Sequence, residues 1–183
     1  MNVKKLAKAI RKQDYVLVIM RHAKTEPFHA SGDFNRELTD KGLKQAKTMA
    51  KGLRELGLVP DQIDCSSAVR AKQTCMRMLK TFGDKPKVDW HKSLYGDGMQ
   101  AVFDALHGCK EKRHTLMVLG HEPTVSMASQ WLANPASDQH LLDLLNLGLP
   151  TATCVIFGSS APFKSWDMRQ ATLLAVLGPK DFD

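Results

Sequence analysis

The stretch Tyr15-Val16-Leu17-Val18-Ile19-Met20-Arg21-His22-Ala23 decides the fold. A continuous apolar run, β-branched in part and bounded by charge, is the pattern of a parallel strand covered on both faces. It stops abruptly at Arg21-His22. In open α/β sheets ligands bind beyond the carboxyl ends of such strands, so a guanidinium and an imidazole emerge together where chemistry is done. The pattern recurs at Thr115-Leu116-Met117-Val118-Leu119-Gly120, again followed by a histidine, His121.

Between and around these two runs the chain alternates helix and strand signals. Leu38-Thr39-Asp40-Lys41-Gly42 opens a helix, with Thr39 as N-cap, Leu43, Ala46, Ala50, Leu53 and Leu56 as its apolar stripe, and Gly57 at its end. Ile63-Asp64-Cys65 reads as a short strand, followed by a helix capped by Ser66 or Ser67 and running to about Phe82. Arg70 falls in the first turn of that helix, where a cation opposes the helix dipole and either needs a counter-anion or is merely tolerated at the surface. Lys87–Trp90 is expected as an edge strand, Met99–Leu106 as a helix, and Pro123 as the first position of a helix after His121. Residues 134–150 read as a loop with one short helix, and 151–157 and 170–177 as an antiparallel pair extending the sheet. Val3, Leu6, Ala7 and Ile10 share one face of a short basic helix within residues 1–13, expected to pack on the edge of the domain. The alternation predicts an α/β fold, a three-layer α/β/α sandwich around a mostly parallel central sheet.

With 183 residues, 43% of them hydrophobic and 25% charged, the chain suits one domain, 1–183, with a sizeable core. The 26 Lys+Arg against 19 Asp+Glu give a formal charge of +7, which favours anionic partners. Aromatic residues make up only 7% and are not interleaved with any basic run, so a stacking platform for nucleic acid is not expected. Cys65, Cys75, Cys109 and Cys154 stand singly, with no C-x-x-C pair, against both a zinc site and a disulfide framework. No run reaches transmembrane length and the lysine-rich start does not read as a signal peptide, so a soluble cytoplasmic protein with no membrane partner is expected. The composition of the helix faces leaves the oligomeric state open.

Arg21 and His22 after the first strand, Arg70 after the second and His121 after the later one would all emerge at one sheet edge. Two arginines present planar forks that match phosphate oxygens, and a neutral histidine nitrogen can attack phosphorus. A metal would need a third ligand and would be repelled by the arginines, so neither metal nor cofactor is expected.

In this setting the chain resembles the histidine phosphatase superfamily, the phosphoglycerate-mutase-like enzymes, and among them the small SixA-like phosphohistidine phosphatases. Arg21-His22-Ala23 matches the R-H-G signature, Leu38-Thr39-Asp40-Lys41-Gly42 the L-T-x-x-G element, and Ser66 to Thr74 the S-x-x-x-R-A-x-Q-T element. Gly120-His121-Glu122-Pro123-Thr124 matches the second histidine signature. The resemblance implies that His22 is the nucleophile that becomes phosphorylated, while Arg21, Arg70 and His121 hold the phosphoryl group. Ala23 departs from the glycine of R-H-G. The long insertion of mutase-type relatives, with its acidic glutamate, is missing, leaving Asp97 and Glu122 as candidate proton donors to the leaving group. Without that lid the pocket is expected to be shallow and open. A leaving imidazole needs less acid assistance than an alkoxide, so phosphohistidine on a protein is the first reading. A phosphatase of small phosphomonoesters and a silent phosphate-binding module stay open beside it.

Overall fold

A computed structural model describes residues 2–182. Six strands form one sheet in the order β3-β2-β4-β1-β5-β6. These are β1 (Tyr15–Arg21), β2 (Gln62–Ser66), β3 (Lys87–His91), β4 (Thr115–Gly120), β5 (Cys154–Ser159) and β6 (Thr172–Leu177). β1 to β4 run parallel, and β5 pairs antiparallel with both β1 and β6. The central apolar run therefore has a parallel neighbour on one side only, its other neighbour being the hairpin-like C-terminal pair.

Strand periodicity assigns the two faces. Val16, Val18 and Met20 join Met117, Leu119 and Ile156 in a core with α1 (Val3–Ile10), α2 (Asp40–Glu55) and α3 (Val69–Phe82). Leu17 and Ile19 join Leu116, Val118 and Phe157 in a second core with α4 (Ser93–Gly96), α5 (Met99–Gly108), α6 (Thr124–Leu132) and α7 (Gln139–Asn146). The result is the expected three-layer α/β/α sandwich, with no large insertion between α3 and β4. All four cysteines are buried and unpaired. Among the described residues no helix is long and apolar enough to cross a membrane.

Three local expectations are corrected. Leu43 is 38% exposed; the helix turns Gly42, Ala46, Met49, Ala50 and Leu53 inward instead. Gly42 is what allows this rotation, because a Cβ there would lie 2.0 Å from the Lys24 carbonyl oxygen. The helix after β2 is capped at Ala68 without a side-chain bond, since the Ser66 hydroxyl is shared between Ala68 N and His121. Pro123 is the N-cap of α6 rather than its first helical residue.

Candidate active site

β2, β4 and β1 are adjacent in the sheet and parallel, so Ser66, His121 and His22 leave it at one edge. The connections above that edge explain the motif spacings. Thr39 N bonds to the Lys24 carbonyl at 3.0 Å and its hydroxyl caps Gly42 N at 3.0 Å, clamping the start of α2 to the segment after His22. Gln73 accepts from Leu38 N at 2.7 Å. The Thr74 hydroxyl accepts from Ala23 N at 3.1 Å and donates to the Arg70 carbonyl at 2.7 Å. That one hydroxyl ties the loop after His22 to the turn carrying Arg70.

His22 is 5% exposed, and both its backbone groups are bonded, N to Gly120 O and O to Ala152 N. Its Nδ1 lies 2.8 Å from the Ala23 carbonyl oxygen, an acceptor only, so this nitrogen carries the proton. Nε2 is then a free lone pair, and Arg70 Nε donates to it at 3.2 Å. Ala23 thus serves through its backbone alone, and its methyl is fully buried.

The His121 ring is 5.1 Å from that of His22, centroid to centroid. Its Nε2 is 2.7 Å from the Ser66 hydroxyl, while Nδ1 is buried with no hydrogen-bond partner among the described residues. Arg21 donates from Nη1 to the Leu149 carbonyl at 2.7 Å, and its buried Nε also lacks a partner among the described residues.

Arg70, 5% exposed, bonds from each of its two terminal nitrogens to a residue that sequence reasoning passed over. Nη1 bonds to the Asp33 carbonyl at 2.7 Å and Nη2 to the Asp33 carboxylate at 3.0 Å. The same carboxylate accepts from the Tyr95 hydroxyl at 3.0 Å and lies 2.8 Å from Arg36 Nε. Burial pushes the Asp33 carboxyl up, but the Tyr95 bond and the Arg70 and Arg36 charges outweigh it, leaving it below its ordinary range. Tyr95 packs edge-on against His121 and against Phe34. No insertion covers the site, and the loop bearing Asp33 contacts Arg70 directly, because a buried guanidinium needs a counter-ion.

Among the described residues, neither expected proton donor is hydrogen-bonded to His22 or Arg70. The Glu122 carboxylate bonds to the Ser126 hydroxyl and Leu149 N, bracing the loop whose Leu149 carbonyl holds Arg21. The Asp97 side chain is exposed and makes no hydrogen bond among those of the described residues. Asp33 is the carboxylate in contact with Arg70. A cue was present in Asp33-x-x-Arg36, an acid–base pair inside a Gly- and Ser-containing loop.

Burial, reinforced by Arg70 and Arg21 and opposed by the Ala23 bond, holds His22 down at about 4. Burial and the Arg70 charge hold His121 at about 3. Both values lie below the ordinary 6.5, so between these pH values the unfolded chain binds protons that the folded one refuses. The stability from this pair is complete above about pH 6.5 and is lost as pH falls toward 4 and then 3. At about 1.4 kcal/mol per pKa unit, the loss between pH 7 and 4.5 is on the order of a few kcal/mol. Urea midpoints measured across that range should fall accordingly, and His121→Gln should flatten the fall by about half. An equally steep fall in that variant would exclude the histidine pair as its origin.

The family model of the histidine phosphatase superfamily (branch 1) matches residues 17–94, which hold three of the four motifs. An uncharacterized Mycobacterium tuberculosis protein, MT1313, is 31% identical over 134 residues, covering 73% of this chain and 82% of that protein. Among solved structures, one from Nakamurella multipartitia assigned as phosphohistidine phosphatase SixA aligns with a TM-score of 0.76. It is 26% identical, over 90% of this chain and 96% of that one. The protein histidine phosphatase SixA complexed with tungstate aligns with a TM-score of 0.73 at 18% identity, over 92% and 99% of the two chains. The ordered motifs, the family model and these relatives lead to one conclusion: the chain belongs to the histidine phosphatase superfamily and is SixA-like.

Proposed function

We propose that this protein is a metal-independent phosphohydrolase that works through a phosphohistidine on His22 and acts on phosphohistidine carried by a protein. The observation that carries this reading is the His22 ring, its Nδ1–H held by Ala23 and its Nε2 lone pair aimed at Arg70. A nitrogen kept unprotonated through the physiological range needs no separate base to become a nucleophile. When a phosphoryl group enters, the Nε2 pair forms the new N–P bond. The bond to the leaving nitrogen breaks with its electron pair, and that nitrogen takes a proton from solvent. Water then attacks phosphorus, the P–Nε2 bond breaks back to His22, and inorganic phosphate departs.

Arg70 and Arg21 neutralise the transferring oxygens in this scheme. The buried Arg21 Nε, unpartnered among the described residues, supports it, as does His121 Nδ1 in the tautomer whose Nε2 accepts from the Ser66 hydroxyl, because an oxyanion is the acceptor such N–H groups lack. The tungstate complex of the SixA relative supports an oxyanion in the corresponding fold. Two guanidiniums make a metal unnecessary. Among the described residues, no three His, Cys, Asp or Glu side chains are grouped to hold one.

The choice of phosphohistidine rests on the missing acid. Glu122 is engaged elsewhere, Asp97 faces solvent, and Asp33 is held ionised among cations, so none is a ready proton donor. The rate of phosphorylating His22 should therefore depend steeply on the leaving group. In a kcat/KM series, phosphoimidazole, phosphohistidine peptide and aryl phosphates should exceed phosphoserine by at least about a hundredfold. A shallow series, steepened by Asp97→Asn or Glu122→Gln, would replace this substrate class by small phosphomonoesters.

A further inference from the structure

Lys41, Lys44, Lys47 and Lys51 lie along the exposed side of α2 and line a groove of about 860 Å³. Its opposite wall is the turn Gly178–Asp181, where Lys180 adds a fifth ammonium. Among the described residues, none of these five lysines is in an ion pair. The one carboxylate in the lining, Asp181, accepts a bond from Gly178 N at 2.8 Å. From Lys41 to Lys51 the row is about 15 Å long. Like charges three and four residues apart repel along a helix, so α2 holds an arrangement that an external anionic surface would relieve.

The groove is joined to the candidate active site through its walls. Pro150 lines both the groove and the recess containing Arg21 and Glu122. Gln45 on the helix wall accepts from Lys24 N at 2.9 Å, and Ala152, next to groove residues Thr151 and Thr153, donates from its N to the His22 carbonyl. A partner seated here is therefore held beside the backbone flanking the nucleophile.

We infer that this lysine groove docks an acidic protein surface, the surface that carries the phosphoryl group to His22; the inference rests on the phosphohydrolase reading above. The lining favours protein over other polyanions. It contains no aromatic side chain on which bases would stack and no arginine fork for a phosphate backbone. It is concave and holds no large apolar side chain, which suits a protruding acidic element rather than a bilayer surface.

The test compares a synthetic phosphohistidine peptide flanked by glutamates, the same peptide flanked by glutamines, and phosphoimidazole. Wild type should prefer the glutamate peptide by about tenfold in kcat/KM at low salt, with the preference fading at high salt. The reversal K44E/K47E/K51E should abolish that preference and leave phosphoimidazole turnover unchanged, and K44Q/K47Q/K51Q should fall between. Equal rates on both peptides, with phosphoimidazole still hydrolysed, would overturn the docking site and leave the phosphohydrolase reading standing. If no phosphoramidate is hydrolysed, the phosphohydrolase reading fails. Docking is then decided by fluorescence anisotropy of the unphosphorylated glutamate peptide: lysine-dependent binding upholds it and no binding overturns it. Tighter lysine-dependent binding of single-stranded DNA or of phosphatidylserine vesicles would also overturn the acidic-protein assignment.

Discussion

His22→Ala is expected to lower turnover of any phosphorylated substrate by roughly 10⁴-fold or more, with no acid-labile phosphoryl group trapped on the protein. The variant removes the atom that forms the new bond. His121 Nε2 is taken by Ser66 at 2.7 Å, and burial pushes the Cys65, Cys109 and Cys154 thiols away from thiolate character, Cys154 to about 12 and Cys109 to about 11. The fold should persist, because the backbone bonds of residue 22 to Gly120 and Ala152 do not need the ring. Rapid-quench labelling with a radiolabelled phosphoramidate, beside a far-ultraviolet spectrum, reads both points. A folded variant that retains substantial turnover would remove His22 from the mechanism.

What could be read from the chain before its structure divides along physical lines. β1 and β4 were legible because a double-sided core demands unbroken apolar runs, and the flanking histidines followed from where those runs stop. The place of Arg70 in the first turn of α3 left two readings, a counter-anion or a tolerated surface cation, and did not identify the anion. Asp33 lies 37 positions from Arg70 and 62 from Tyr95, so no local periodicity links them. The rotation of α2 escaped for a related reason: Leu43 fits a helical stripe, yet contact of Gly42 with the Lys24 carbonyl decides which side turns inward. Glu122 follows the signature histidine, which made it a candidate for proton transfer. Its bonds to Ser126 and Leu149 exist only because α6 and the Leu149 loop converge in three dimensions.

Arg70→Lys should cost about 10² to 10³ in kcat, although the charge is kept. The guanidinium spans three partners from one planar group, the His22 Nε2 lone pair, the Asp33 carbonyl and the Asp33 carboxylate. An ammonium is a point charge and cannot span that array, so the variant loses alignment of the phosphoryl oxygens against Nε2. Asp33→Asn should act differently. In the free protein the Asp33 carboxylate occupies part of the fork that a phosphoryl group must engage, so substrate competes with an internal anion for Arg70. Neutralising it should lower KM for small aryl phosphates several-fold while kcat changes little. EDTA should leave wild type unaffected, since the charge neutralisation is assigned to arginines. Steady-state kcat and KM for the three proteins, with and without chelator, separate these effects. If Arg70→Lys retained wild-type kcat, or zinc or manganese restored a chelated, inactive wild type, phosphoryl stabilisation would have to be reassigned away from the Arg70 fork.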